Sequence, residues 1–174
     1  MKLILPSQAQ PIPGVSIPRD FFWVLTEPAP LAGMRKPWPG FPWPKIYEAG
    51  FSYVVSLHPR GCDVTPLTVL FDEPLQDLAD GGYPDDPDGE ETRIRKVVSR
   101  IGDALRSGRG VVVHCLGGRG RTGTVLGCVL RELGFRGQTI IDFLDRLHRE
   151  RGKPGWPESP WQSALVRDWK RCDG

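Results

Sequence analysis

Long apolar runs are missing from this chain. Val111-Val112-Val113 is typical, and nothing approaches the roughly 20 residues that span a bilayer. An excess of one charge is missing too: 23 Lys and Arg nearly balance 21 Asp and Glu, for a net +2, and no basic run stands clear of acidic neighbours. Neither nucleic acid nor a membrane is therefore an expected partner. Cysteine is scarce. Cys62, Cys115, Cys128 and Cys172 are widely spaced, and 174 residues can build a core without disulfide staples. That spacing assigns no redox role to Cys62, Cys128 or Cys172. The opening Met1-Lys2-Leu3-Ile4-Leu5-Pro6 is too short an apolar stretch for a secretory signal, which points to the cytoplasm. No internal repeat and no linker between two cores is visible, so one domain and a monomer are expected. A composition of 39% hydrophobic and 25% charged residues argues against disorder.

Glycine and proline are abundant, at 21 and 18 residues, and twelve of the prolines precede position 67. Proline lacks the amide that a helix interior or inner strand needs, so the first third should hold loops, edge strands and short elements. Residues 1–20 form a Pro-rich extension without a usable period, expected to lie extended on the surface, and residues 21–172 carry the domain. Compact apolar runs beside turn signals predict strands from Phe21 to Leu25, Tyr53 to Leu57, Leu67 to Phe71 and Gly110 to His114. The spacing of Ile94, Val97, Val98, Ile101 and Leu105 predicts a helix, capped by Asp88 with Glu91 and ended by Gly108. Thr122, Val125, Leu126, Val129, Leu130 and Leu133 predict a second, stopping at Gly134. Ile140, Phe143, Leu144 and Leu147 predict a third, ending near Gly152. A last helix starts at Ser159-Pro160, with Trp161, Leu165 and Trp169 on one face. Strands alternating with helices predict an α/β fold whose mostly parallel sheet is covered on both faces.

One stretch carries chemistry: His114-Cys115-Leu116-Gly117-Gly118-Arg119-Gly120-Arg121-Thr122-Gly123, between a strand and a helix. A glycine-rich turn into a helix N-terminus points several N–H groups into one concavity, which binds an anion. Gly117, Gly118 and Gly120 let the backbone close up without Cβ clashes. A cysteine in that field has its thiolate stabilised. Arg121 offers the planar fork that grips two phosphate oxygens. Nucleophile, amide cradle and guanidinium clamp together suit phosphoryl transfer.

The pattern Cys-x5-Arg-Thr, with His114 before it and Gly123 after, resembles the signature of the cysteine-dependent protein tyrosine and dual-specificity phosphatases. Asp80-Gly81-Gly82 followed by Pro84 resembles the acid loop of that family's small members, those related to the cyclin-dependent kinase-associated phosphatase and the compact archaeal tyrosine phosphatases. The resemblance runs from about Phe21 to Trp169. It implies a single-domain α/β fold with a four- or five-stranded, mostly parallel sheet flanked by helices. It implies a phosphorylated protein as substrate, a cysteinyl-phosphate intermediate, and neither cofactor nor metal. Cys115 would be the nucleophile, with Leu116, Gly117, Gly118, Arg119, Gly120 and Arg121 binding the phosphate. Thr122 would bond the Cys115 sulfur, and His114 would order the loop and lower the thiol pKa. Asp80 would be the general acid and Gln162 would orient the hydrolytic water.

Several alternatives stay open. A leaving oxygen needs a proton, and the region 72–88 also offers Asp72, Asp77, Asp85, Asp86 and Asp88, with Asp72 or Asp77 next after Asp80. The interval from Asp80 to Cys115 is longer than in the compact relatives, with the extra length falling between Tyr83 and Glu90. Gln162 also fits a capping box with Ser159, and the family's neighbouring glutamine position is Glu158 here. His58 and Cys62 with His114 and Cys115 could suggest zinc, but two ligands inside the loop would abolish thiolate chemistry. Arg119 either selects a further negative group on the substrate or pairs with a nearby acid. Phosphoinositide or small-molecule phosphatase, non-catalytic phosphate binding and sulfurtransfer are the competing functions.

Overall fold

In the computed structural model, which describes residues 1–171, five strands and five α-helices form one α/β unit. The strands are β1 (Phe21–Leu25), β2 (Leu31–Met34), β3 (Phe51–Ser56), β4 (Thr68–Asp72) and β5 (Gly110–His114). Their order is β1-β2-β5-β3-β4, with β1 antiparallel to β2 and every other pairing parallel. The last strand in sequence thus lies at the centre. All of β5 is buried, and successive valines face opposite ways: Val111 and Val113 join one apolar cluster and Val112 the other. Strands buried on both faces need such unbroken apolar runs.

Helices α2 (Pro87–Arg106), α3 (Gly120–Glu132), α4 (Gly137–Glu150) and α5 (Pro160–Asp168) supply the larger cluster, and α1 (Trp43–Glu48) contributes to the other. The predicted sheet and the four long helices are all present. The cap of α2 differs. Asp86, not Asp88, is the N-cap, and its side chain accepts from the Gly89 N–H at 3.0 Å. Pro87 follows at the first helical position, where its missing N–H is harmless. On α5 the wholly buried residues are Gln162 and Val166, while Trp161 and Leu165 pack against the core only partly covered.

β2 and α1 lie inside the proline-rich third and were not individually visible in the sequence. β2 is four residues between Pro30 and Pro37, too short to show a period, yet it is an inner strand between β1 and β5. α1 tolerates its prolines because Pro42 is its N-cap and Pro44 lies in its first turn. Residues 1–20 cross the domain rather than merely coating it. Ile4 N–H donates to the Val24 carbonyl, Ile12 is buried among Trp23 and Phe51, and Trp23 Nε1 donates to the Gln10 carbonyl. Among the described residues no helix is long and apolar enough to cross a membrane.

Candidate active site

β2, β5 and β3 end side by side, with Met34 and Ser56 in register with His114. The loop 115–119 therefore opens at the carboxyl edge of three parallel strands, where open α/β sheets bind ligands. Gly118 permits the turn. Its φ of +69° favours a residue without Cβ, and a Cβ there would stand 2.5 Å from the Met34 carbonyl oxygen. Among the described residues, the N–H groups of Leu116, Gly117, Gly118 and Arg119 donate to no protein acceptor. Unpaired amides running into a helix N-terminus make an anion cradle.

A cleft of about 220 Å³ lies over this loop, lined by Asp77, Ala79, Cys115, Leu116, Gly117, Arg119, Gly120, Arg121 and Glu158. Cys115 borders it although its side chain is almost wholly buried. Arg121, in the first turn of α3, donates from Nη2 to Asp77 Oδ2 at 3.2 Å and from Nη1 to the Leu75 carbonyl at 3.5 Å. Arg119 is the N-cap residue of α3. Its Nε donates to the Gly155 carbonyl at 2.7 Å, and its Nη1 pairs with Glu158 Oε1 at 3.2 Å. Burial pushes the Glu158 carboxyl up from its ordinary range, with Arg119 opposing the shift.

His114 lies beneath the loop with no solvent exposure. Its Nδ1 is 3.0 Å from the Cys115 carbonyl and its Nε2 is 2.9 Å from Ser56 Oγ. A carbonyl only accepts, so Nδ1 carries the proton and Nε2 accepts from the serine hydroxyl. Burial lowers the His114 pKa to about 4, so the ring is neutral at physiological pH. Its support of the loop is a hydrogen bond and not a positive charge.

Arg151, at the end of α4, holds the loop from below. Its Nη1 donates to the Gly118 carbonyl at 2.9 Å and its Nη2 to that of Gly117 at 3.3 Å. Nε reaches the Pro18 carbonyl and Nη2 that of Arg19, each at 3.0 Å. A trans peptide points its C=O and N–H in opposite directions. Drawing these two carbonyls toward Arg151 therefore turns the Gly118 and Arg119 amides away from it. Burial lowers the Arg151 pKa to about 10, which leaves it charged. The sequence offered no sign of this role, because Arg151 sits in an ordinary basic helix end with His148, Arg149 and Lys153.

Asp80 is exposed and does not line the cleft; its Oδ1 accepts from the Gly82 N–H at 2.9 Å, while its neighbour Ala79 borders the cleft. Asp77 does line the cleft. Asp72 lies on β4, paired with Arg60 at 2.6 Å. The Thr122 hydroxyl is buried without a hydrogen-bond partner, so its implied bond to the Cys115 sulfur is not formed in this structure. Gln162 is buried, and its Oε1 accepts from the N–H groups of Glu158 at 2.9 Å and Ser159 at 3.2 Å. That oxygen caps α5, and Glu158 is the residue that faces the cleft. His58 and Cys62 border a different cleft. Among the described residues no group of three or more His, Cys, Asp or Glu could hold a metal. Cys128 is buried, which pushes its thiol pKa up, and Cys172 lies outside the described residues.

Solved phosphatases share this fold. A kinase associated phosphatase (KAP) with its catalytic site cysteine changed to serine is 20% identical, with a TM-score of 0.57 and coverage of 81% of this chain and 85% of that one. Human DUSP28 is 16% identical, with a TM-score of 0.60 over 79% and 89%. TpbA from P. aeruginosa, solved in complex with pTyr, is 18% identical, with a TM-score of 0.54 over 79% and 78%. These likenesses show the fold, that of the dual-specificity and tyrosine phosphatases. Residues 83–134, which hold α2, β5, the loop and α3, match the family described as "Tc-R-P: Polymorphic toxin system, DSP-PTPase phosphatase".

Proposed function

We propose that this phosphatase hydrolyses phosphomonoesters, phosphotyrosine and phosphoserine/threonine in proteins, through a cysteinyl-phosphate intermediate. One observation carries the reading: Cys115 and the Arg121 guanidinium border one cleft with the unpaired amides of the loop. The Cys115 thiolate attacks phosphorus in line, and the bond to the leaving oxygen breaks as an aspartate protonates that oxygen. The cradle amides and Arg121 hold the equatorial oxygens, where charge redistributes. The same aspartate then takes a proton from water, which attacks phosphorus, breaks the S–P bond and releases phosphate. Asp80 is the acid by its place in the Asp-Gly-Gly turn. It needs only a local swing of the loop whose Ala79 already borders the cleft. Asp77 is the alternative, and its pairing with Arg121 suits it better as a resting counter-ion. Residues 1–20 remain an extension of the 21–172 phosphatase unit in this reading.

The test is Cys115→Ser. Release of phosphate from an aryl phosphate should fall by about three orders of magnitude or more, while vanadate still binds. A serine variant that keeps more than a few per cent of the rate would end the covalent account. Transfer of sulfur from thiosulfate would favour the competing sulfurtransferase reading.

A further inference from the structure

Among the described residues, the two cations that line the cleft are already engaged. Arg119 is held by Glu158 and the Gly155 carbonyl, and Arg121 is held by Asp77 until a phosphate claims it. A further cation, Lys36, lines neither this cleft nor that of His58 and Cys62 but lies just past the end of β2, beside the loop. Met34, His114 and Ser56 lie side by side in register, and Lys36 and His58 each follow two residues after the ends of β2 and β3. The Lys36 N–H donates to the Leu116 carbonyl at 2.9 Å, which fixes the lysine beside the loop. Among the described residues its ammonium has no ion-pair or hydrogen-bond partner.

The ammonium lies 3.7 Å from where a Cβ on Gly61 would stand. Gly61, with His58, Arg60 and Asp72, borders a second cleft of about 500 Å³. Asp72 is neutralised there by Arg60. Burial, together with the positive charge of Arg121 and Lys36, lowers the His58 pKa, with Asp77 opposing. A neutral imidazole still offers one N–H donor. Leu116 borders the first cleft, accepts from the Lys36 N–H and is 51% exposed, which offers an apolar surface to a bound chain.

We propose that Lys36, with His58 and the Gly61 turn, forms a subsite for an acidic side chain next to the phosphorylated residue of a protein substrate. The inference rests on the phosphatase reading of the Cys115 cleft and names a substrate feature that reading leaves open. It also moves the substrate-selecting charge from Arg119, which is paired, to Lys36, which is not. An extended peptide advances about 3.4 Å per residue, so a carboxylate one or two positions from the phosphate can reach across Leu116.

The experiment measures kcat/KM on two phosphopeptides that differ only in having Glu or Gln beside the phosphorylated residue, with soluble inositol bisphosphate as a third substrate. Wild type should prefer the Glu peptide about fivefold at low salt, and the preference should shrink as salt rises. Lys36→Gln should abolish the preference while leaving the Gln peptide within about twofold, and Lys36→Arg should keep it. Arg119→Gln should lower both peptides alike. Equal losses on both peptides with Lys36→Gln, no preference in wild type, or faster turnover of inositol bisphosphate than of either peptide would overturn the subsite. Absence of turnover on any aryl phosphate would instead remove the phosphatase reading, and the subsite with it.

Discussion

His114 is shut from solvent and held at both nitrogens, and its protonation state is therefore coupled to folding. In the unfolded chain the ring takes a proton near 6.5, whereas in the folded protein burial delays this to about 4. Between those values the unfolded state binds the extra proton. The contribution to stability is thus fully present above pH 6.5 and is lost as pH falls toward 4, by an amount on the order of 3 kcal/mol. His148, also buried and held well below its ordinary value, adds a loss of the same sign. His114→Gln should flatten the slope of stability against pH over this range. Urea denaturation at pH 7.5 and 4.5 checks it, and an unchanged slope would mean that His114 is not the group being titrated.

The proposed acid loop carries Asp77 and Asp80 three residues apart, and the two have different partners: Asp77 pairs with Arg121, and Asp80 accepts from the Gly82 N–H. The Arg121 fork that Asp77 meets is the one that, in the proposed mechanism, holds the scissile phosphate. In that mechanism, phosphate entry would displace the Asp77 carboxylate and free the segment that carries Asp80. Asp77→Asn should therefore tighten vanadate or phosphate inhibition several-fold by removing an internal competitor. Asp80→Asn should slow phosphotyrosine hydrolysis far more than hydrolysis of an activated aryl ester, because only a poor leaving group needs the proton. If Asp77→Asn shows that leaving-group dependence and Asp80→Asn does not, the two roles are exchanged. Steady-state kinetics on both substrate types, with vanadate titration, separates these outcomes.

Across the whole molecule, the N-terminal segment and the catalytic loop share one anchor. Arg151 ties the carbonyls of Gly117 and Gly118 to those of Pro18 and Arg19, and it lies 4.4 Å above the Phe22 ring. Ile12, further along the same segment, only fills the core. The two positions should separate stability from site organisation. Ile12→Ala should cost about 2–3 kcal/mol with vanadate affinity intact in the folded protein. Arg151→Met should cost about 3 kcal/mol and also weaken vanadate binding, since the loop carbonyls lose the donors that orient them. Chemical denaturation and vanadate titration of both variants check this. Equal vanadate affinity in the two would reduce Arg151 to a purely structural residue.

How much of this was legible in the sequence follows from the range of the forces involved. The long helices and the central strand were written locally, in the spacing of residues such as Ile94, Val97 and Ile101 and in the valine run before His114. The cradle was legible for the same reason, since three glycines, Cys115 and Arg121 act within one turn of backbone. β2 was not, because four residues between prolines carry no period, and an inner position is conferred by the neighbours β1 and β5. The partners of the site's charges were also beyond reach. Arg119 meets Glu158 39 residues away, Arg121 meets Asp77 across 44, and Arg151 reaches the Pro18 carbonyl across 133. The sequence by itself determined the groups of the loop: the Cys115 thiol, the glycine-rich amides and the Arg121 guanidinium. It did not determine that Asp77 and Glu158 would border the cleft in place of Asp80 and Gln162. Only the tertiary structure decided which of the site's charges are paired at rest, because charge pairing depends on distance in space and that is set by how the sheet and helices pack.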